Sequence, residues 1–253
     1  IMDKIQQCFD LSQVREYCVE AGRPDTITKS KLEVIKKFGA DRISVNPQTF
    51  NDDVLNTIGR KHSAQQTIDA YNLARSVGFE NINMDLIAGL PSDTLESFMY
   101  TIDTTIKLNP DAVTVHTLTL KRSATLFEDI SGRENVNNPV TAMVDYSVDR
   151  LTSNGYIPYY MYRQKNTAEN LENVGYSKLG KESLYNIYIM DEIQTILGIG
   201  AGASTKLVGD EHNISRVHNY KFPYEYINRF DELMNKKSAI HKFFDLQEHP
   251  III

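Results

Sequence analysis

Two hydrophobic periods alternate along the first half of this chain, and few architectures satisfy both. EYCVEAG (16–22), DRISVNP (41–47), NINMDLIAGLP (81–91) and AVTVHTLTL (112–120) are short β-branched runs, each readable as a buried strand. Between them the period changes. Leu95, Phe98, Met99, Ile102 and Ile106 recur at helical spacing on one face, and Ile68, Tyr71, Ala74 and Val77 do so one unit earlier. Ser63 with Gln66, and Asp93 with Glu96, have the spacing of capping boxes ahead of these helices. Four strand–helix units in this order predict an α/β fold built on a parallel sheet, open or closed into a barrel.

Beyond about residue 122 the alternation weakens, which predicts two regions, 1–122 and a C-terminal extension, 123–253, packed on the first. RSATLFEDISGRENVNNPVT reads as an excursion, 139–154 as a helix, LGIGAGASTK (197–206) as a strand opening into a glycine turn, and 222–239 as helical. The alternating Gly198, Gly200 and Gly202 match neither dinucleotide- nor phosphate-loop spacing. One stretch fits no category: YYMYRQKN (159–166) is too aromatic for a solvated linker and too polar for a core strand.

With 41% hydrophobic and 24% charged residues, the 253-residue chain can bury a substantial core. A formal net charge of -6 argues against nonspecific nucleic-acid binding. The absence of a long apolar run or signal layout predicts a cytoplasmic protein without membrane insertion. Cys8 and Cys18, the two cysteines, are too few for a disulfide scaffold and wrongly spaced for a redox or zinc pair; buried reduced thiols are expected.

In parallel α/β folds ligands sit at the C-terminal ends of the strands. Each strand ends here on polar residues: Glu20, Gln48, Asp85, and the His116, Thr117, Thr119 set. Structural alternatives exist for each. Asp85 could cap the turn at Gly89–Pro91, Glu20 could pair with Arg23, His116 could be a satisfied core histidine, and Arg60 a solvated charge.

These residues also resemble a family. VEAGRPD, RISVNPQTFND with the following IGRKHS, and NMDLIAGLP are similar to consecutive motifs of the radical S-adenosylmethionine enzymes of the oxygen-independent coproporphyrinogen III oxidase group. YRQKN and NLENVGY narrow the likeness to its coproporphyrinogen dehydrogenase branch, and it covers about residues 14 to 206. The fold it implies is a partial (β/α) TIM-like barrel of the radical SAM type, followed by an α+β extension.

The resemblance implies that Glu20 and Gln48 hydrogen-bond S-adenosylmethionine, that Arg60 meets its carboxylate, and that Asp85 meets the ribose; Thr119 and Ser204 fall at weaker contacts. It implies oxidative decarboxylation of coproporphyrinogen III to protoporphyrinogen IX, with an electron donor and acceptor of unknown identity. A large apolar ring with four carboxylates needs aromatic walls and a few cations, so Tyr159, Tyr160, Tyr162, Arg163 and Lys165 are candidate substrate contacts. No catalytic acid or base stands out. The family's CxxxCxxC, which holds a [4Fe-4S] cluster, is not in the chain. With the start at Ile1, that leads to the expectation of an N-terminally truncated, inactive piece that holds no cluster. A haem-binding chaperone of the same superfamily, or a non-catalytic binding remnant, are the alternatives.

Overall fold

The computed structural model describes residues 1–119, 139–163, 171–210 and 213–247. They form two compact units, Ile1–Phe9 with Val14–Ser183, and Asp10–Gln13 with Leu184–Ile253. The change of unit falls at residue 183, so the described residues 139–163 and 171–183 lie in the first unit.

In the first unit the order is α1 (Met2–Cys8), β1 (Cys18–Gly22), a 3-10 turn at Pro24–Thr26, α2 (Lys29–Lys37), β2 (Arg42–Val45), α3 (Asp52–Thr57), α4 (Ala64–Val77) and β3 (Asn81–Ala88). There follow α5 (Leu95–Leu108), β4 (Ala112–Thr117), α6 (Val140–Ser153), β5 (Ile157–Tyr162) and β6 (Asn173–Ser177). One six-stranded sheet results, in the order β1-β2-β3-β4-β6-β5. Strands β1 to β4 are parallel; β6 runs antiparallel to β4, and β5 antiparallel to β6. The α/β prediction holds, and among the described residues the sheet stays open, with β1 and β5 as its edges.

The two faces of the sheet are chemically opposite. Along β3, Ile82, Met84, Leu86 and Ala88 are buried, while Asn81, Asn83, Asp85 and Ile87 are half-buried. This is the period-two sorting of a sheet with one dry face. On that dry face Leu86, Ala88, Val113 and Val115 pack with Phe98 and Ile102 of α5 and Met143 and Leu151 of α6. Ile43, Val45, Ile82 and Met84 pack with Leu32 of α2 and Ala70, Tyr71 and Ala74 of α4. Each large apolar side chain so buried is worth about 1.5–3 kcal/mol.

Local signals explain most helix starts. Ser63 and Gln66 form the expected capping box of α4. At α5 the cap is Thr94, which accepts from the Ser97 amide, so the Asp93–Glu96 box is not formed. Asp93 accepts from the Thr94 amide instead, and burial pushes its carboxyl up from the ordinary range. The start of the tyrosine segment, judged too aromatic for a solvated linker and too polar for a core strand, lies in the edge strand β5.

At the N-terminal ends of the strands, charges are buried and answered. Arg42 opens β2 with its side chain only 3% exposed and pairs with Glu16 at 3.2 Å. Its Nη2 also donates to the carbonyls of Lys181 and Glu182 at 2.6 and 2.8 Å, and Ser183 Oγ donates to Glu16 at 2.9 Å. Arg75 of α4 pairs with Asp111 at 2.7 Å, and Asp111 accepts from the amide of Ile82.

The second unit contains α7 (Leu184–Met190), the hairpin β7 (Ser204–Val208) and β8 (Ile214–His218), α8 (Pro223–Asn228) and α9 (Phe230–Gln247), an α+β set as expected. The glycine run is corrected: residues 197–203 form no strand, and β7 follows the glycines. Gly200 and Gly202 take positive φ values of 99 and 75, turning the chain so that Ile196 can bridge Lys206. No helix among the described residues is long and apolar enough to cross a membrane.

Two stability predictions follow from these charges. Glu16→Gln strands the Arg42 guanidinium in a dry site, and urea denaturation should show a loss of about 3 kcal/mol. Asp93 has a raised folded-state pKa, so its contribution to stability is full in acid and lost as pH rises through that value. Asp93→Asn should therefore raise Tm at pH 8 by about 2 °C, and the gain should vanish in scans near pH 3.

Candidate functional site

At the C-terminal ends of the strands the polar groups are left open. Gln48 follows β2 at φ 67 and is 8% exposed. Its amide nitrogen donates to Asp85 O at 3.0 Å, and its carbonyl accepts from Ile87 N at 3.0 Å, which holds it against β3. Two buried contacts fix the flanking chain: Thr101 of α5 bonds Thr49 and the amide of Phe50, and the His62 ring bonds Pro47 O at 3.2 Å. Burial pushes His62 below its ordinary range, and because a carbonyl oxygen only accepts, Nε2 donates that bond. A left-handed φ in a residue other than glycine costs about 1–3 kcal/mol and is held here by its surroundings. The Gln48 side-chain amide makes no hydrogen bond to the described residues, and the same is true of the Arg60 guanidinium, two residues before His62.

Glu20 of β1 does not pair with Arg23, which is taken by Asp25 at 2.9 Å; it accepts from Ser44 Oγ of β2 at 2.6 Å. Beside it, burial first and then the charges of Glu20 and Glu16 push the Cys18 thiol up to about 12. Cys18 is half-buried and Cys8 exposed, so the expectation of two buried thiols fails in place; the Cys18 thiol is nonetheless protonated at neutral pH.

Asp85 does not cap the Gly89 turn. It stands on the polar face, where register sets it opposite Thr114, with Ile87 opposite His116. Two lines of side chains lead to its carboxylate, the first by hydrogen bonds throughout and the second ending on a longer contact. In the first, Tyr160 Oη lies 3.3 Å from Thr114 Oγ1, Thr114 donates to Asn83 Oδ1 at 3.4 Å, and Asn83 Nδ2 donates to Asp85 Oδ1 at 2.8 Å. Because the Thr114 proton is spent on Asn83, the Tyr160 hydroxyl donates to Thr114. In the second, Tyr162 Oη lies 3.1 Å from His116 Nδ1, and His116 Nε2 faces Asp85 Oδ2 at 3.8 Å. His116 is thus a bridging residue rather than a core histidine.

Both lines begin on β5. The rings of Tyr160 and Tyr162 stack at 6.3 Å with 4° between their planes, and Tyr159 packs edge-on against Tyr160 at 4.8 Å. The Tyr160 ring fits because its cross-strand partner is Gly175; a Cβ there would stand 1.8 Å from the ring. Burial raises the Tyr160 phenol well above its ordinary range.

The arrangement thus unites Gln48, Asp85, Tyr160 and Tyr162, with Glu20 two strands away on the same sheet. Sequence reasoning missed Asn83 and Thr114, although the alternation of NINMD and AVT signals them as polar members of one face. Arg163 is held by Glu172 at 3.1 Å in an exposed pair. Thr119 follows β4, donating to Thr117 O at 3.5 Å. Lys165 lies outside the described residues. Ser204 is in the second unit, where it opens β7 opposite His218. No group of three or more His, Cys, Asp or Glu among the described residues could hold a metal ion, and the two cysteines cannot supply the three thiolates of an iron–sulfur cluster.

Residues 9–105 match the sequence profile of the Radical SAM superfamily. The chain is 46% identical over 234 residues to the "Oxygen-independent coproporphyrinogen-III oxidase-like protein HemZ" of Bacillus subtilis, covering 90% of this chain and 46% of that protein. It is 32% identical over 248 residues to the "Heme chaperone HemW" of Lactococcus lactis, covering 96% and 62%. The chain therefore spans about half to three-fifths of the length of these curated relatives. Its fold matches that of the coproporphyrinogen III oxidase HemN from Escherichia coli, with a TM-score of 0.68 at 22% identity over 91% of this chain and 52% of that one.

Gly175→Ala should displace the Tyr160 ring, since the added Cβ would stand 1.8 Å from it, and circular dichroism should show whether the chain stays folded. A pH titration followed at 295 nm should then show one tyrosine ionising at lower pH than in the parent. An unchanged titration would mean that Gly175 does not keep the ring in its dry position.

Proposed function

We propose, for a chain that belongs to the radical SAM superfamily, that it supplies cofactor and substrate contacts of a coproporphyrinogen III oxidase-like enzyme. The observation that carries the reading is the polar sheet face on which the stacked Tyr160 and Tyr162 stand beside Asp85 and His116.

The cofactor of this family is S-adenosylmethionine, which supplies the hydrogen-abstracting chemistry when bound. The residues fit it. Asp85 keeps acceptor positions for the ribose hydroxyls. The buried Gln48 amide takes a further polar edge of the cofactor. Arg60 offers the planar fork that suits a carboxylate. Glu20 extends the polar row to β1, and the contacts given to Thr119 and Ser204 rest on the family resemblance. The cluster that accompanies the cofactor in the family has no thiolate set in this chain.

The substrate is coproporphyrinogen III, two of whose propionates become vinyl groups. Its apolar ring suits an aromatic wall, and stacking on a tyrosine is worth about 0.5–1.5 kcal/mol beyond area burial. Tyr159, Tyr160 and Tyr162 form that wall. Arg163 meets a propionate, because the exposed pair with Glu172 is worth about 1 kcal/mol or less and yields to an incoming carboxylate. Lys165 has the same role in the adjoining sequence. An electron acceptor completes the oxidation.

A second reading, a haem-binding chaperone, is favoured by the likeness to HemW. Titration of the chain with coproporphyrin III and, separately, haemin decides between them. The proposed function predicts quenching of the porphyrin fluorescence, weakened about fivefold to tenfold in Tyr162→Ala. Haemin binding with a Soret shift, and no coproporphyrin binding, would favour the chaperone; failure of both ligands would sink both readings.

A further inference from the structure

The two lines of side chains that lead to Asp85 have a direction that simple structural bracing does not require. Asp85 carries about four acceptor positions, and Asn83 occupies one of them at 2.8 Å. His116 Nε2 stands at 3.8 Å, beyond hydrogen-bond length yet inside ion-pair range, so that side of the carboxylate is faced but not filled. What His116 presents there depends on its other nitrogen. Tyr162 Oη lies 3.1 Å from Nδ1; if its hydroxyl donates there, a neutral ring carries its proton on Nε2 and turns an N–H toward the acid. The opposite tautomer would turn a lone pair toward a carboxylate oxygen and repel it.

We propose that Tyr162 and His116 are positioning residues for Asp85: Tyr162 sets the imidazole tautomer, and the imidazole N–H orients the carboxylate so that its remaining acceptors meet a vicinal diol. The proposal rests on the reading of Asp85 as the ribose ligand. Tyr162 closes the edge strand and stacks on Tyr160, so the group that orients the cofactor's acid also belongs to the wall assigned to the substrate. The two ligands are therefore coupled. A ring seated on the tyrosines that shifts Tyr162 changes the grip on the ribose, and an occupied ribose site changes the wall by the same factor.

The test uses the whole chain, with 5′-methylthioadenosine and its 2′,3′-dideoxy analogue as probes and calorimetry as the readout. The parent should prefer the diol by at least about tenfold, the scale of a hydrogen bond to a charged group, and Asp85→Asn should remove the preference. Tyr162→Phe keeps the ring and its stacking, so Tm should hold, while the diol preference falls about fivefold and the dideoxy affinity stays unchanged. Nitrogen-15 NMR of His116 should show the Nε2–H tautomer in the parent and a mixture in Tyr162→Phe. If Asp85→Asn abolishes the preference while Tyr162→Phe leaves both preference and tautomer intact, the relay is overturned and the cofactor reading stands. A parent chain that binds without favouring the diol, or binds neither probe, overturns both.

Discussion

The sheet has one apolar face and one polar face, and the rest of the first unit depends on that sorting. In many parallel sheets helices cover both sides and the strands read as continuous apolar runs. Here β3 alternates Ile82, Met84, Leu86 and Ala88 against Asn81, Asn83 and Asp85. The apolar set is buried under α2, α4, α5 and α6, which removes it from water and fixes the register strand by strand. A slip of one residue would bury Asn83 and Asp85 against Phe98 and Ile102, so the dry face dictates which polar groups stand together on the other. The network from Tyr160 to Asp85 is a consequence of register before it is a feature of chemistry.

The same residue types meet opposite fates at the two ends of the strands. At the N-terminal end Arg42 and Glu16 are nearly dry and answer one another, with two backbone carbonyls taking the arginine's Nη2 while its Nη1 has no partner among the described residues. Such pairs lose several kcal/mol when one partner is removed, which makes them structural. At the C-terminal end Arg60 and the Gln48 amide have no partner among the described residues, and Gln48 is held at a φ that a side chain disfavours. The strain at Gln48 is held by its two backbone hydrogen bonds to β3.

Much of this was legible in the sequence, for physical reasons that also mark where legibility stops. The four parallel strands and helices α4 and α5 follow from periodicity, which depends only on which residues must be dry. The Ser63 box was readable because both of its members are local. The Thr94 cap was not: Asp93 and Thr94 are both good caps, and burial of the Asp93 carboxyl decided between them. YYMYRQKN misled because strand propensity was judged for a core position, whereas β5 is an edge whose polar hydroxyls reach Thr114 and His116 about 46 positions away in the chain. The alternative in which Glu20 pairs with Arg23 fails for a like reason. Ser44 reaches Glu20 across a strand pair, and Asp25 is the nearer acid for Arg23.

Gly175 shows how far one small residue can carry a site. It is not in the left-handed region, so its role is space rather than backbone freedom. The missing Cβ lets the Tyr160 ring lie across β6 toward β4, two strands in from the edge, where its hydroxyl finds Thr114. Stacked at 6.3 Å, Tyr162 is then set to reach His116 from the same side. An aromatic pair at the sheet edge thus acquires two hydroxyl tips inside it, one on each line of side chains that leads to Asp85. Their hydroxyls are committed inward, so the pair buries no unanswered polar tip.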